Sequence, residues 1–294
     1  MDRRTFFLAP GAGLLCSLSG FPIRNAWADP GTVLDALRDI EATARGRLGV
    51  HIIDTATGRE QGWRSDERFL MLSSFKLLAS ALVLARVDRG QESLERRISY
   101  AKGDLVTWSP VTERFAGTAE GMSLADLCEA TLTTSDNSAA NFILDSYGGP
   151  AALTRFAREL GDDTTRLDRR ETELNTGTAA ALLDTTTPRA MALTMQKLLL
   201  GNALSPASRE RLQQWLVGNT TGDKRLRAGL PANWRVGDKT GTNKTDANDI
   251  GIAWPANGRA PLIITAYLAE STASGAVKEA TLAGVARLAA TLVA

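Results

Sequence analysis

The sequence predicts an α/β (α+β) fold in two lobes: an antiparallel sheet flanked by N- and C-terminal helices, with an inserted all-helical lobe. Three observations carry this. Strand-like runs sit near both ends, the stretch from Ser73 to about Gly218 is helical with loops, and the outermost periodic segments are helices with an apolar face. Antiparallel strands from both ends most simply join one sheet. The expected α/β lobe is then 29–67 with 217–294, and the helical lobe 68–216. A groove between lobes is the natural place for a site.

The first thirty residues, "MDRRTFFLAPGAGLLCSLSGFPIRNAWADP", read as a targeting segment over 1–28. Arg3-Arg4 with Phe6 and Leu8 fits a twin-arginine export signal better than an ordinary secretory one, and Ala26-Trp27-Ala28 is a small-x-small site. On either reading the protein leaves the cytoplasm and the mature chain starts near Asp29.

Residues 32–46 follow as an amphipathic helix, with Val33, Leu34, Leu37 and Ile40 on one side. "LGVHIIDTATGREQGWR" reads as a strand, a turn at Thr55–Gly58 and a second strand. "FLMLSSFKLLASALVLA" opens the helical section; residues 77–85 carry no charge, so this helix is largely buried. Near the end, "NWRVGDKT", "DIGIAWP" and "PLIITAYLA" are strands, and "GAVKEATLAGVARLAATLVA" closes as an apolar-faced helix.

Composition excludes several function classes. The chain has 294 residues, 44% hydrophobic, and a formal net charge of +1, with no basic stripe to suit nucleic acid. No run after the leader approaches the roughly 20 apolar residues of a membrane span. Of two cysteines, Cys16 lies in the leader, so Cys128 has no partner for a disulfide; in the helical "LADLCEATL" it reads as a buried, inert thiol. His51 is the single histidine, which rules out HExxH and two-histidine metal sites. A Ser-His-Asp triad would have to use it, and the nucleophile candidate has a better base nearby.

Four segments carry chemistry. In Ser73-Ser74-Phe75-Lys76, a helix starting at the serine puts residues three apart on one face, so the ammonium reaches the Ser73 hydroxyl. A buried lysine has a lowered pKa and can relay a serine's proton. Alone the spacing is weak, because S-x-x-K occurs by chance about once in a chain of this size. Ser135-Asp136-Asn137 suits a helix N-cap as well as a site. Lys239-Thr240-Gly241-Thr242 could bind a carboxylate, or be a strand-to-turn boundary with a solvated lysine. "RRETELN", Arg169 to Asn175, has too many charges for core; it is a loop that could hold a water or a solvated surface loop.

Together, and in this order, the four segments resemble those of the class A serine β-lactamases, in the penicillin-binding-protein-like superfamily of serine hydrolases. The likeness covers nearly all of 30–294, including "VTWSPVTE", "LCEATLTTSDNSAANFIL", "DTTTPRAMA" and "GNTTGDKRLRAGLP". It implies a β-lactamase acting on penicillins and cephalosporins, with Thr242 and Trp108 pointing to a broad spectrum that extends toward carbapenems. It implies a small β-lactam as partner, and no cofactor, metal, nucleic acid or membrane after export to the periplasm or medium; the protein is expected to be a monomer.

Residue by residue, the resemblance makes Ser73 the acylated nucleophile and Lys76 its neighbour. Glu171 activates the deacylating water with the Asn175 amide, and either Lys76 or Glu171 is the acylation base. Ser135 passes a proton to the departing ring nitrogen, with Lys239 beside it. Asn137 binds the acylamide side chain, Thr240, Gly241 and Thr242 the carboxylate, Arg225 steers it, and Trp108 stands at the groove entrance. The backbone N–H groups of Ser73 and Thr242 form the oxyanion hole. Arg169 and Asp184 close an Ω-shaped loop over about 169–184, with Asn141 beneath it. Two rivals share parts of the pattern: a penicillin-binding DD-peptidase, which lacks the glutamate loop, and a β-lactam sensor domain, which stays acylated.

The chain departs from the family in four places. Thr172 stands where most relatives have proline after a cis bond; the Glu171-Thr172 bond is expected to stay cis, held by Arg169–Asp184 and Asn141. Leu72 and Asn243 stand where some relatives have a disulfide. Ser80 stands where another subgroup pairs a cysteine with the one matching Cys128. The turn "NKTDA" before Asn248-Asp249 is short.

Overall fold

A computed structural model describes residues 30–293. The targeting segment read for 1–28 lies outside the described residues.

The first helix, α1 (Pro30–Ala44), ends two residues earlier than its periodicity suggests. Arg45 takes φ 47° and Gly46 crosses so close to the sheet that a Cβ would sit 2.7 Å from the Ala269 carbonyl oxygen. The predicted hairpin is β1 (Arg47–Asp54) and β2 (Arg59–Trp63), turned through Gly58 at φ 72°. A two-residue strand, β3 (Phe69–Leu70), leads to α2 (Phe75–Asp88).

The helical section continues through β4 (Arg97–Ile98), β5 (Met122–Ser123), α3 (Leu124–Thr133), α4 (Asn137–Ser146) and α5 (Pro150–Glu159). It ends with β6 (Thr185–Thr186), α6 (Pro188–Leu199) and α7 (Pro206–Val217). The ladders β3–β6 and β4–β5 interrupt it. Two residues are too few to show a period, so sequence reading passes over them. A single turn, α8 (Leu226–Gly229), precedes the last strands, β7 (Arg235–Thr242), β8 (Ala247–Trp254) and β9 (Leu262–Ala269), and then α9 (Gly275–Thr291).

The five long strands form one antiparallel sheet in the order β2-β1-β9-β8-β7. Pairing of β1 with β9 joins the two ends of the chain, as the strand runs predict. All of β9 is buried, because both faces are covered and alternate residues serve different cores. Leu262, Ile264, Ala266 and Leu268 pack with α1 and α9, while Ile263 and Tyr267 face the helical section.

Helix α2 is the spine of that second core. Residues Phe75 to Ala85 are buried without a break, against α3, α4, α5 and α7. The expectation that the helix starts at Ser73 is corrected: Leu72–Ser74 form a 3₁₀ turn and α2 begins at Phe75. The serine and lysine still meet, since side chains three apart also align in a 3₁₀ turn.

Candidate active site

The groove holds about 460 Å³ and is lined by Ser73, Trp108, Ser135, Asn137, Asn175, Thr221, Arg225, Thr240, Gly241 and Thr242. Four backbone positions shape it. Leu72, Trp108 and Ser135 take positive φ (48°, 65° and 59°), a conformation costly for non-glycine residues that recurs at functional sites. At Gly241 a Cβ would lie 2.9 Å from Leu72 Cβ and 3.0 Å from the Met71 carbonyl oxygen, so glycine lets β7 close on the turn bearing Ser73.

Ser73 Oγ sits between the two base candidates. It donates to Glu171 Oε1 at 3.2 Å and accepts from Lys76 Nζ at 3.1 Å. Lys76 Nζ also lies 2.9 Å from Glu171 Oε1, both side chains being fully buried. Asn137 Oδ1 at 2.6 Å, Ser135 O at 2.9 Å and Ser135 Oγ at 3.2 Å are also within its reach, so three N–H groups face five acceptors. Burial lowers the Lys76 pKa, and the Glu171 carboxylate opposes this.

The serine-aspartate-asparagine segment is both cap and site, so the two readings left open by sequence coexist. Asp136 caps α4 through Ala139 N and also accepts from Val111 N and Thr112 N, which fixes the loop carrying Trp108. Asn137 holds the same loop through Thr107 O at 2.8 Å. Trp108 itself is 61% exposed, its indole N–H tied to Thr134 O at 3.0 Å, so it offers a ring face at the groove mouth.

On the opposite wall the alternative reading of Lys239 as solvated at a strand end is overturned. It lies inside β7, fully buried, and donates to Ser135 Oγ at 3.1 Å and Thr240 O at 2.9 Å. Ser135 Oγ therefore touches both lysines. Burial and the neighbouring Lys76 charge push the Lys239 pKa down to about 7. Arg225 braces this wall, donating to Gly241 O at 3.0 Å, Asn248 O at 2.7 Å and Thr242 Oγ1 at 2.6 Å.

Polar clamps hold Glu171. Its backbone is gripped at both ends by Asn141, whose Nδ2 donates to Glu171 O at 2.9 Å and whose Oδ1 accepts from Glu171 N at 3.0 Å. Asn175 Nδ2 donates to Glu171 Oε2 at 2.6 Å. Asp184 pairs with Arg169 Nε at 2.6 Å and accepts from the N–H groups of Asp168 and Arg169. The Asp184 carbonyl accepts from Met71 N at 2.9 Å, tying the loop to the nucleophile's turn. The Glu171-Thr172 bond is cis. Asn243 bridges from the end of β7 to Asn175 O at 3.1 Å, where some relatives carry a disulfide half.

All fifteen residues singled out from the sequence gather around this groove or its supporting loop. His51 does not: it is buried, in contact with Ser65 Oγ at 3.2 Å and Glu60 Oε2 at 3.0 Å. Cys128 is buried and unpaired, its thiol pushed up to about 12 by burial. Sequence reasoning missed Thr221, which lines the groove beside Thr240. A threonine in a Thr-Gly loop carries no periodic signal to mark it.

Known proteins give this arrangement a class: the profile described as the β-lactamase enzyme family matches residues 32–293, and the chain belongs to that family. It is 44% identical over 304 residues to "Beta-lactamase L2" of Stenotrophomonas maltophilia, covering 100% of this chain and 99% of the relative. It is 42% identical over 287 residues to "Beta-lactamase OXY-1" of Klebsiella oxytoca, covering 97% and 96%. The solved "Ancestral (GNCA) Beta-lactamase class A" superposes with a TM-score of 0.85 at 57% identity, covering 87% of this chain and 98% of that one. The enzyme is accordingly a hydrolase, a β-lactamase of class A, of a kind associated with antibiotic resistance.

Proposed function

We propose that the protein hydrolyses the β-lactam amide of penicillins and cephalosporins through an acyl-enzyme on Ser73, and that its spectrum extends to carbapenems. The observation that carries this is Ser73 Oγ held between Lys76 Nζ at 3.1 Å and Glu171 Oε1 at 3.2 Å. The bond directions favour Glu171 as acceptor of the serine proton, with Lys76 donating to the same oxygen.

In acylation Ser73 Oγ attacks the lactam carbonyl carbon, and the N–H groups of Ser73 and Thr242 receive the developing oxyanion. The C–N bond breaks, and the ring nitrogen takes the Ser135 Oγ proton; Lys76 replaces it, with Lys239 alongside, and takes in turn the proton that Glu171 received from Ser73, which frees the carboxylate for deacylation. In deacylation a water held by Glu171 and Asn175 attacks the ester carbon, its proton goes to Glu171, and Ser73 leaves with the proton restored. Thr240 and Thr242 hold the substrate carboxylate over Gly241, Arg225 adds positive charge, Asn137 receives the acylamide and Trp108 flanks the drug's side chain. Asn141, Arg169 and Asp184 keep Glu171 in place.

The same reading gives two lobes, 29–67 with 217–294 and 68–216. It has the protein exported by the twin-arginine route to act as a monomer free of the membrane. Among the described residues no helix is long and apolar enough to cross a membrane.

Glu171→Gln tests the mechanism. Mass spectrometry after mixing with a penicillin should show an accumulating acyl-enzyme, with turnover down about 10³-fold or more, because general-base help is worth 10²–10⁴. Unchanged turnover removes Glu171 from the mechanism. A burst of one equivalent without turnover in the unsubstituted enzyme would favour the peptidase or the sensor. A panel of kcat/KM values across penicillins, cephalosporins and a carbapenem decides the spectrum.

A further inference from the structure

We infer that Thr221 is a positioning residue that competes with substrate for the Thr240 hydroxyl proton, through a hydrogen-bond chain whose direction is fixed from the buried end. The inference rests on the reading that Thr240 grips the substrate carboxylate. The chain starts at Asp238, which accepts from Arg227 Nε at 2.6 Å and from Asn219 Nδ2 at 2.6 Å. With its NH₂ turned to Asp238, Asn219 presents Oδ1 to Thr221. There Oδ1 accepts from the backbone N–H at 3.0 Å and from the hydroxyl at 2.8 Å. The backbone N–H, which only donates, fixes the amide's orientation, and the Asp238 contact agrees with it.

A hydroxyl has one proton. Thr221 has given its proton to Asn219, so across the 2.5 Å contact with Thr240 Oγ1 it accepts and Thr240 donates. The free groove therefore has Thr240's proton turned away from where the carboxylate binds. Thr242 differs: it accepts from Arg225 Nη2 at 2.6 Å, which leaves its own proton for the ligand. When a carboxylate arrives, Thr240 must swing its proton to it. Thr221 then either loses its donor or turns its own proton back and leaves Asn219. On either course one link of the chain breaks, and a net link is worth a factor of about two to ten.

Stopped-flow measurement of the first, non-covalent penicillin complex tests this. In Thr221→Val the dissociation constant should fall about two- to tenfold, with the change in that constant and not in the acylation rate. Thr221→Ser should restore the original value. In a Thr240→Val background, Thr221→Val should have no effect. A rise in the constant for Thr221→Val overturns the inference, because Thr221 then donates directly to substrate. No change in Thr221→Val, where Thr240→Val alone weakens binding, also overturns it. If Thr240→Val itself binds as well as the parent, the carboxylate reading of Thr240 fails instead.

Discussion

Two sides of the molecule meet at Ser73 and are held by opposite means. Lys76 rides on α2, whose first eleven residues are buried in an apolar core. Glu171 rides on a loop whose Leu174 is buried but whose position depends on directed polar contacts to Asn141, Asn175 and the Arg169–Asp184 pair. Apolar packing is non-directional and tolerates change that conserves volume, whereas a polar clamp deprived of one member leaves its partners buried and unsatisfied. The lysine side should therefore be robust to conservative change and the glutamate side brittle.

The largest expected effect breaks the brittle side. Asp184→Ala removes the partner of Arg169 Nε, though Arg169 keeps its bonds to Thr176, and leaves two backbone N–H groups unpaired; it should cost about 3 kcal/mol of unfolding free energy. Denaturant unfolding would read it, and kcat should fall as Glu171 loses its position. A cost below about 1 kcal/mol would show that the loop is not held by this pair.

Helix α2 gives the next effect. Leu77 is fully buried, so Leu77→Ala should cost about 3 kcal/mol, while Leu77→Met should cost less than about 1.5 kcal/mol and leave kcat intact. Loss of activity in Leu77→Met at normal stability would contradict the tolerance claimed for this side.

The smallest effect concerns the opposite wall. Lys76 has the Glu171 carboxylate against it, whereas Lys239 bonds to a hydroxyl and a carbonyl. Burial, with the Lys76 charge nearby, outweighs the opposing pull of Asp238 and Asp249 and brings its pKa to about 7. If its charge helps hold substrate, kcat/KM should fall about tenfold per pH unit above that value. Lys239→Arg should move this limb out of the measurable range, because guanidinium stays charged. Stability has the opposite slope. The unfolded lysine titrates near 10.5 and binds more protons between pH 7 and 10.5, so folding free energy contributed by this group rises with pH across that window. An alkaline limb unmoved in Lys239→Arg would assign it to another group.

Much of this was legible in the chain. Uncharged residues 77–85 announced a buried helix, and β-rich runs at both ends announced the sheet that β1 and β9 complete. Serine and lysine three apart could meet in any helical turn, so their 3.1 Å contact survives the correction from α-helix to 3₁₀ turn. The short ladder β3–β6 and the Thr221 hydroxyl were not legible, since neither leaves a period in the sequence.

By itself, then, the sequence determined which groups were available and which local segments would carry them, because short-range spacing and burial of apolar runs follow from covalent geometry and solvent. Tertiary structure alone decided their company. Ser73 meets Glu171 across 98 positions, and Ser135 Oγ meets Lys76 and Lys239 together. Whether a lysine is solvated or buried, and which way a threonine's proton points, depend on neighbours brought from elsewhere in the chain. Such encounters are fixed by the packing of α2 among the helices, by the contact of the Ser73 turn with β7 and by clamps on the loop, which no local pattern encodes.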